Sequence, residues 1–432
     1  MLLQRNKVRI KRVAEKLQLI FTCLFVSTLC LRRDLNQSFL IAALFFSLPL
    51  INITMARARW RVTLVMVLVY AVAVVSAFYS PHKREALFVL EKQFTLLIVP
   101  IVLAFSFQAD SSRMRIILWC FIASVFVVCL YLLARFHYLY EISRGYLTVQ
   151  EFLLLNLHHN YSIILGLHAT YLSMYVCFSV AVSIYLFFHE KKLLRLVALL
   201  FIPLFLFSLL MLSSRIVFLP FFIILLFVIP FFIRWQVAVI YFVILFSGMA
   251  VAYNYLGKYE AFRNRFKEDT MRELNITDGF SFGASISTDD ATRAERWKCA
   301  VELVRERPLT GYGTGEEKFM LSKKYSKYNL SNSLNSNFDA HNQYLAFTIK
   351  SGILGLASFL VLLVLSFFRA FRYRNYYFTC FLLIVTATSL TENILESNKG
   401  ILFFSVFNTL FVLACDQFPP DNKNNLPLTH KN

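Results

Sequence analysis

Long apolar blocks separated by short polar turns dominate the chain. The blocks run for roughly 15–25 residues, and a helix of about 20 apolar residues crosses the ~30 Å hydrocarbon core of a membrane. The pattern predicts an all-α polytopic membrane protein, with eleven to thirteen spanning helices. Our preferred count of about twelve places them at 17–31, 38–55, 60–79, 94–108, 114–134, 164–188, 194–212, 215–233, 235–256, 344–368, 376–391 and 400–415.

Composition supports the membrane assignment. Hydrophobic residues make up 58% of the 432 positions and charged residues 16%, whereas a soluble domain carries about a quarter charged residues. The net charge of +19 raises the possibility of nucleic-acid binding. The basic residues lie in short turns between apolar blocks rather than on one face or in a tail, so they indicate topology and no nucleic-acid partner.

The distribution of Lys and Arg predicts the orientation of the helices. With a cytoplasmic N-terminus, the inner segments carry twenty Lys and Arg and the short outer segments carry nine. Both termini are then cytoplasmic, and residues 257–340 form a large loop on the far side, the periplasm in a cell with two membranes. We therefore expect a basic N-terminus (1–16), helices 1–9 (17–256), the periplasmic loop (257–340), helices 10–12 (341–415) and a cytoplasmic tail (416–432), in a bacterial inner membrane.

The polar segments contain further helical patterns. Residues 257–274 and 292–307 place apolar side chains at helical spacing, and residues 80–93 read as an amphipathic helix lying on the membrane surface. No phosphate-binding loop, dinucleotide fingerprint or G-x-S-x-G elbow occurs, which excludes several classes of soluble enzyme. No Cys/His spacing suggests a zinc site, and we expect neither a metal nor a cofactor.

A polar cluster of His341, Asn342 and Gln343 stands where the large loop enters the tenth apolar block. Asn337 and Asp339 are candidate caps, which would place His341 in the first helical turn. The positive end of the helix dipole would keep its imidazole neutral and able to take a proton from a sugar hydroxyl. The alternative is an interfacial histidine that only caps the helix.

Arginines form a second group of candidates. Arg215 lies in MLSSRIVFLP, at the outer end of a tight helical hairpin, where it either snorkels to water or clamps a phosphate with its paired donors. Arg293 and Trp297 are four residues apart, so on a helix the ring could support the guanidinium. Arg296 ranks second to Arg293. Lys350, within the tenth block, either faces a wet cavity or snorkels.

Other residues carry weaker signals. His168, Tyr171 and Glu392 are candidates for substrate contact, with cavity lining, bonds to neighbours or simple solvation as alternatives. Glu392 and Glu396 could instead pair with Lys399. Turn-forming residues with a candidate structural role are Pro308, Gly311, Gly313, Gly352 and Gly355. The glycines at 311–315 form either a turn or part of a sugar-binding nest.

Three of these features together resemble the O-antigen ligase/polymerase superfamily. They are His341-Asn342 followed by Gly352-x-x-Gly355, an arginine after small residues at the hairpin, and Arg293-x₃-Trp297 followed by Pro-Leu-x-Gly-x-Gly. The resemblance extends over roughly residues 193–370 and implies an integral membrane enzyme that moves glycans off undecaprenyl pyrophosphate. It further implies metal-independent, inverting transfer.

The resemblance also implies roles for individual residues. His341 would be the base, and Arg215 and Arg293 would hold the pyrophosphate. Residues that would contact substrate are Asn342, Gln343, Trp297, Arg296, His168, Tyr171 and Glu392.

The acceptor remains open within this resemblance. Ligation to lipid A–core, polymerisation of repeat units and transfer to protein Ser/Thr share the same layout. Ligation is favoured, because one long loop carrying the Arg/Trp/Gly-x-Gly motif before the His motif is typical of ligases. A transporter for a lipid-linked glycan or anionic solute is the alternative outside enzymes, but transporters place ionisable residues at mid-bilayer and contain inverted repeats. A purely structural membrane protein would leave the boundary arginines unexplained.

Overall fold

The computed structural model describes residues 2–31, 33–232, 235–268 and 293–415, and within these ranges the chain is helical with no β-strand. The α-helices in chain order are α1 (Leu2–Ser27), α2 (Arg33–Ser47), α3 (Ile53–Tyr79), α4 (Lys83–Gln93), α5 (Thr95–Ser106), α6 (Ser111–Ser143), α7 (Val149–Asn156), α8 (His159–Ser162), α9 (Ala169–His189), α10 (Lys192–Leu212), α11 (Arg215–Ile223), α12 (Ile229–Phe232), α13 (Trp235–Leu256), α14 (Glu260–Arg263), α15 (Arg293–Glu306), α16 (Glu317–Lys327), α17 (Ser331–Asn335), α18 (Gln343–Arg372), α19 (Tyr376–Thr388) and α20 (Asn398–Cys415). Short 3₁₀ helices occupy Leu48–Leu50, Ile163–Leu165 and Ile394–Glu396, and π-helical turns occupy Ile224–Val228 and Asn264–Glu268.

The all-helical membrane fold is confirmed. Each predicted block overlaps a helix, and in the described ranges eight helical segments are long and apolar enough to cross a membrane. They are Ile53–Tyr79, Lys83–Ser106, Ser111–Ser143, Ala169–His189, Lys192–Leu212, Trp235–Leu256, Gln343–Arg372 and Asn398–Cys415. Three apolar helices are shorter, namely Leu35–Leu50, Arg215–Val228 and Tyr376–Thr388. A total of twelve spans remains a prediction.

The smaller helical predictions have mixed outcomes. The 80–93 helix is confirmed over Lys83–Gln93, but it runs on through Phe94 into α5 instead of standing alone. The 292–307 helix is confirmed as Arg293–Glu306, with Thr292 outside the described residues. The 257–274 helix is interrupted. Its described part consists of α14 and a π-helical turn, and 269–274 lie outside the described residues.

Helix α20 forms the centre of the bundle. Every side chain from Gly400 to Cys415 is buried, and Phe407 contacts the rings of Phe121, Phe178 and Phe403 at centroid separations of 5.1, 5.5 and 5.2 Å. Tilted and edge-on ring pairs at such distances are favourable. Many of the phenylalanines therefore pack against one another in the centre of the bundle.

Four segments between the helices meet at one end of the bundle, called the loop end below. Ser80 Oγ donates to Glu316 Oε1 over 3.0 Å, and Lys92 Nζ donates to the Glu396 carbonyl over 3.0 Å. These contacts join 80–93, the large loop and the α19–α20 connection, and the 135–168 segment joins them through His159 and His168, described below. The charge count assigned all four segments to the same side. Which side of the membrane the loop end faces remains a prediction.

Helix α18 is broken one third of the way along its length. Ser351 (φ −129°, ψ 15°) and Gly352 (φ 60°, ψ −153°) leave the helical conformation. A break of this kind frees backbone groups that must find other partners in a buried setting. The freed acceptors here are the carbonyls of Ile349 and Lys350.

The Pro-Leu-x-Gly-x-Gly segment supplies the missing partners. The amides of Tyr312 and Gly313 donate to those two carbonyls over 2.8 Å each, and the Pro308 carbonyl accepts from the amide of Ile353 over 2.9 Å. The two glycine motifs of the sequence are thus two halves of one backbone clamp between the large loop and α18. Of the two interpretations of residues 311–315, this favours the turn, because two amides of the supposed nest are already used.

The glycines are required by this close approach. Gly311 has φ 66°, and a Cβ there would lie 2.5 Å from the Ile349 carbonyl oxygen. A Cβ on Gly352 would collide with the backbone of Leu309. Gly355 is constrained within α18 itself, because a Cβ there would lie 2.5 Å from the carbonyl of Phe347, on the other side of the break.

Candidate active site

His341 sits in a strained turn at the loop end, just before α18. It has φ 46°, and its amide donates to Asp339 Oδ1 over 2.9 Å. The predicted caps are wrong. Asn342 caps α18, because its Oδ1 accepts from the amides of Tyr344 and Leu345 over 3.0 and 3.1 Å. His341 therefore precedes the helix instead of lying in its first turn.

Trp297 and Arg296 hold the segment that carries His341. Trp297 Nε1 donates to the carbonyl of Ala340 over 3.0 Å. The guanidinium of Arg296 lies 4.8 Å from the ring centre of Phe338, whose ring lies 5.5 Å from that of His341. Arg296 and Trp297 thus both contact the segment that carries His341.

Glu392 joins the histidine to the arginine of the large loop. Its Oε2 lies 3.8 Å from His341 Nδ1, and its Oε1 lies 3.7 Å from an Nη of Arg293. Thr170 Oγ1 donates to the same Oε1 over 3.4 Å. Burial raises the pKa of Glu392, but the bond to His341 and the positive charges around it outweigh burial and bring the pKa below its ordinary value. The site therefore contains a buried carboxylate that stays ionised at neutral pH.

A row of three imidazoles continues the site away from Glu392. The ring centres of His158 and His159 are 4.0 Å apart, as are those of His159 and His168. His168 caps α9 by accepting from the Thr170 amide over 3.3 Å, so it lies at the helix end and not one or more turns deeper as the sequence suggested. The ring of Tyr171 lies 6.0 Å from that of His168.

Burial is the largest cause that keeps this row of imidazoles neutral. Burial first, and neighbouring charges including that of Arg265 to a smaller extent, lower the pKa of His158 to about 2 and that of His159 to about 4. The pKa of His168 is also lowered, by burial first and by His341 and Arg293 to a smaller extent, against the opposing charge of Glu392. Neutral imidazoles offer both donors and acceptors for hydrogen bonds. In the described ranges, no group of three His, Cys, Asp or Glu is arranged to hold a metal ion.

Two arginines stand at the far end of the histidine row. Arg215 is the first residue of α11 and stands two residues after Ser213, which has φ 40°. Its charge and that of Arg265 act on His158, whose own φ is 58°. Arg215 and His341 are therefore connected through the histidine row and belong to one region of the loop end. Non-glycine residues in the left-handed conformation are strained and cluster at functional sites.

A family comparison agrees with this geometry. The model of the O-antigen ligase family matches residues 198–360. Residues 198–360 are therefore similar to the O-antigen ligase family. A comparison with curated proteins found no match.

The resemblance stated from the sequence is thereby confirmed. The matched O-antigen ligase region contains Arg215, Arg293 and His341, and Glu392 and the histidine row lie outside it. Members of this family are membrane enzymes of the glycosyltransferase type, ligases or polymerases, that use lipid-linked glycans and lipid acceptors in general. With its apolar helices, the chain is a multi-pass membrane protein.

Asn342 and Gln343 both make structural contacts. The Asn342 side-chain oxygen is taken up by the helix cap described above. Gln343 is fully buried. Its side-chain Oε1 accepts from the backbone amide of Leu395 over 2.7 Å, and its backbone amide donates to the Ser389 carbonyl over 2.9 Å. These contacts fasten the start of α18 to the α19–α20 connection.

Lys350 and Glu396 form a buried ion pair near the break in α18. Lys350 bonds Glu396 and lies 3.9 Å from Glu317, so its charge is met by carboxylates and it does not snorkel. The suggested pairing of Lys399 with Glu392 or Glu396 is wrong. Lys399 donates instead to the carbonyls of Leu29 and Leu31, beyond the end of α1.

Sequence reasoning missed Arg265 and the partners of His341. Arg265 lies in a π-helical turn, a feature that hydrophobic spacing does not reveal. Asp339 was considered only as a cap, although its Oδ1 lies 3.6 Å from His341 Nδ1. Its position two residues before His341 was the one available signal.

Proposed function

We propose that this protein transfers a glycan from an undecaprenyl-pyrophosphate carrier to a hydroxyl acceptor on the periplasmic face of the inner membrane. Within that reaction class we propose ligation of O-antigen to lipid A–core. The observation that carries the proposal is the placement of Glu392 between His341 and Arg293, at 3.8 and 3.7 Å. A proton acceptor and a fixed cation therefore lie close together at the loop end.

The imidazole is oriented to act as a base. Its Nδ1 faces the carboxylates of Asp339 and Glu392, which favours the tautomer with the proton on Nδ1. The lone pair on Nε2 is then available to an acceptor hydroxyl. Positioned general bases of this kind contribute typically 10²–10⁴-fold to a rate.

The reaction balances with these groups. The acceptor oxygen bonds to the anomeric carbon from the face opposite the carrier, and its proton passes to His341 Nε2. The bond between the anomeric carbon and the pyrophosphate oxygen breaks, and undecaprenyl pyrophosphate leaves with the bonding electrons. The anomeric configuration is inverted.

The arginines stabilise the leaving group in this proposal. The charges of Arg215, Arg265 and Arg293 act on the histidine row. A guanidinium keeps its charge and presents paired donors to phosphate oxygens. Fixed cations placed where negative charge develops lower the barrier of the chemical step. His159 and His168, being neutral, can bond to sugar or phosphate groups between the arginines and the base. No cofactor is needed.

Ligation is preferred over the alternatives for two reasons. The family description names a ligase, and a single long loop carries the Arg/Trp and glycine motifs before the histidine. Polymerisation of repeat units and transfer to protein hydroxyls use the same chemistry with another acceptor. Transport is disfavoured, because His341, Glu392 and the arginines cluster at the loop end and not at mid-bilayer.

A deletion strain of the source organism tests the proposal. Wild-type protein, Arg215→Ala and Arg293→Ala are expressed in it, and surface glycan and lipid-linked glycan are separated on gels. Loss of ligated long chains together with accumulated lipid-linked polymer in both variants supports a ligase. Ligation of single repeat units indicates a polymerase, and normal glycan in both variants contradicts the enzyme assignment.

A further inference from the structure

Ala340, the residue before His341, has both of its backbone polar groups held by side chains of the large loop. Its carbonyl accepts from Trp297 Nε1, and its amide donates to Glu317 Oε1 over 3.1 Å. Ala340 itself is completely buried, so neither group can turn to water instead. The position of His341 is therefore set by the residue that precedes it.

The same carboxylate oxygen also holds the segment that carries Glu392. Asn393 Nδ2 donates to Glu317 Oε1 over 3.0 Å, and Asn393 is the residue immediately after Glu392. One oxygen atom thus receives a hydrogen bond from the neighbour of His341 and another from the neighbour of Glu392. These two segments are about fifty residues apart in the sequence. The first precedes the start of α18, and the second follows the end of α19.

A buried carboxylate needs a compensating charge, and the structure provides one. The side chain of Glu317 is 7% exposed, and its Oε2 lies 3.9 Å from Lys350 Nζ, which also bonds Glu396. Pairing and hydrogen bonding reduce the cost of taking such a charge out of water. Glu317 is thus held from two sides, by the ion pair at Oε2 and by the two donors at Oε1.

We propose that Glu317 is a positioning residue, which sets the separation of His341 and Glu392 by accepting the hydrogen bonds of Ala340 and Asn393 on one oxygen. This inference rests on the proposed function for its effect on turnover, and on the structure alone for its effect on the two segments. Glu317 does not touch the reacting groups. It acts through the backbone on either side of the site.

The kinetic test uses the full chain in nanodiscs, with lipid-linked glycan and lipid A–core extracted from the deletion strain. Glu317→Ala removes both acceptors, so kcat is expected to fall about 10–100-fold, because a shift near 1 Å in a reacting group can cost about 10²-fold. KM is expected to change less than about threefold, since the substrate-binding arginines stay in place. Glu317→Gln keeps an amide oxygen for both donors and should restore kcat to within about threefold of wild type.

Glu316→Gln is the matched control. Glu316 is the adjacent buried carboxylate. Its Oε1 accepts hydrogen bonds from Ser80 Oγ and from the amide of His82, both in the 80–93 segment and not in the segments that carry His341 and Glu392. Its kcat should stay near that of wild type. A Glu317→Gln variant as slow as Glu317→Ala would overturn the proposal, since the charge and not the accepted bonds would then matter.

Amide hydrogen exchange tests the inference without any substrate. Peptides covering 338–345 and 389–396 should exchange at least about tenfold faster in Glu317→Ala than in wild type, Glu317→Gln or Glu316→Gln, because hydrogen-bonded amides exchange only when they open. If Glu317→Ala does not fold, Asn393→Ala removes one of the two bonds and should loosen 389–396 alone. Unchanged exchange in both peptides contradicts the inference. If the wild-type protein transfers no glycan but the variants show the expected exchange pattern, the proposed function is contradicted, whereas the role of Glu317 in holding the two segments is supported.

Discussion

Trp297 donates its indole N–H to the backbone carbonyl of Ala340 across 3.0 Å, so helix α15 is bonded to the residue that precedes His341. Tryptophan was singled out in the sequence for its spacing from Arg293. Its observed contact gives it a different task, which is to hold the turn in which His341 adopts φ 46°. A strained residue persists only where its surroundings over-determine it.

Trp297→Phe tests this contact. The ring stays in place but the donor is lost, and the buried Ala340 carbonyl is left without that partner, at a cost of about 1–3 kcal/mol. We expect kcat for glycan transfer to fall about tenfold, with a smaller change in KM. Trp60→Phe, at an exposed position on α3, is the control and should leave turnover unchanged. Wild-type kcat in Trp297→Phe would show that the contact is dispensable.

The clamp between α18 and the large loop predicts a large effect of one methyl group. In Gly352→Ala the new Cβ meets the Leu309 backbone, and the backbone conformation (φ 60°, ψ −153°), which is open essentially to glycine alone, costs roughly 1–3 kcal/mol by itself. Thermal unfolding in detergent should occur several degrees lower than in wild type. Gly248→Ala is the control, since a Cβ there meets nothing within 4 Å in helix α13 and should leave unfolding unchanged or raise it slightly. Equal unfolding temperatures for the two variants would contradict the clamp.

Glu392 predicts a dependence of stability on pH. Its pKa in the folded protein lies below the ordinary value of 4.5, so the folded state binds its proton less readily than the unfolded state. The stabilisation is fully present above that ordinary value and is lost as the pH falls through the folded pKa. The difference in unfolding temperature between wild type and Glu392→Gln should therefore shrink as the pH is lowered from 6 to about 3. A difference that stays constant over this range would show that the ionised carboxylate does not stabilise the fold.

The helices were predictable because membrane thickness fixes the length of an apolar block, and the glycine motifs because their backbone geometry excludes other residues. The residue that caps α18 could not be predicted from the sequence. Asn337, Asp339 and Asn342 can all cap a helix, and only the three-dimensional structure shows that Asn342 accepts from the first amides. Spacing cannot choose among such neighbours.

Contacts between side chains far apart in the sequence were also not predictable. Lys399 is the nearest cation to Glu396 in the sequence, but the break in α18 brings Lys350 to that carboxylate instead. His341 and Glu392 were each proposed for the site, but no pattern indicated that they lie together. That contact depends on how α18 and α19 pack, which the sequence does not reveal by periodicity.

In the proposed reaction, His341 takes the proton of the acceptor hydroxyl. The most direct test is single-turnover transfer by His341→Ala in nanodiscs, using lipid-linked glycan and lipid A–core from the deletion strain, with His189→Ala as control. His189 lies at the other end of α9, where its ring stacks on Tyr185. We expect His341→Ala to lose at least about 10²-fold in the rate of transfer and His189→Ala to keep the wild-type rate. Transfer by His341→Ala at the wild-type rate would contradict the role of His341 as the base.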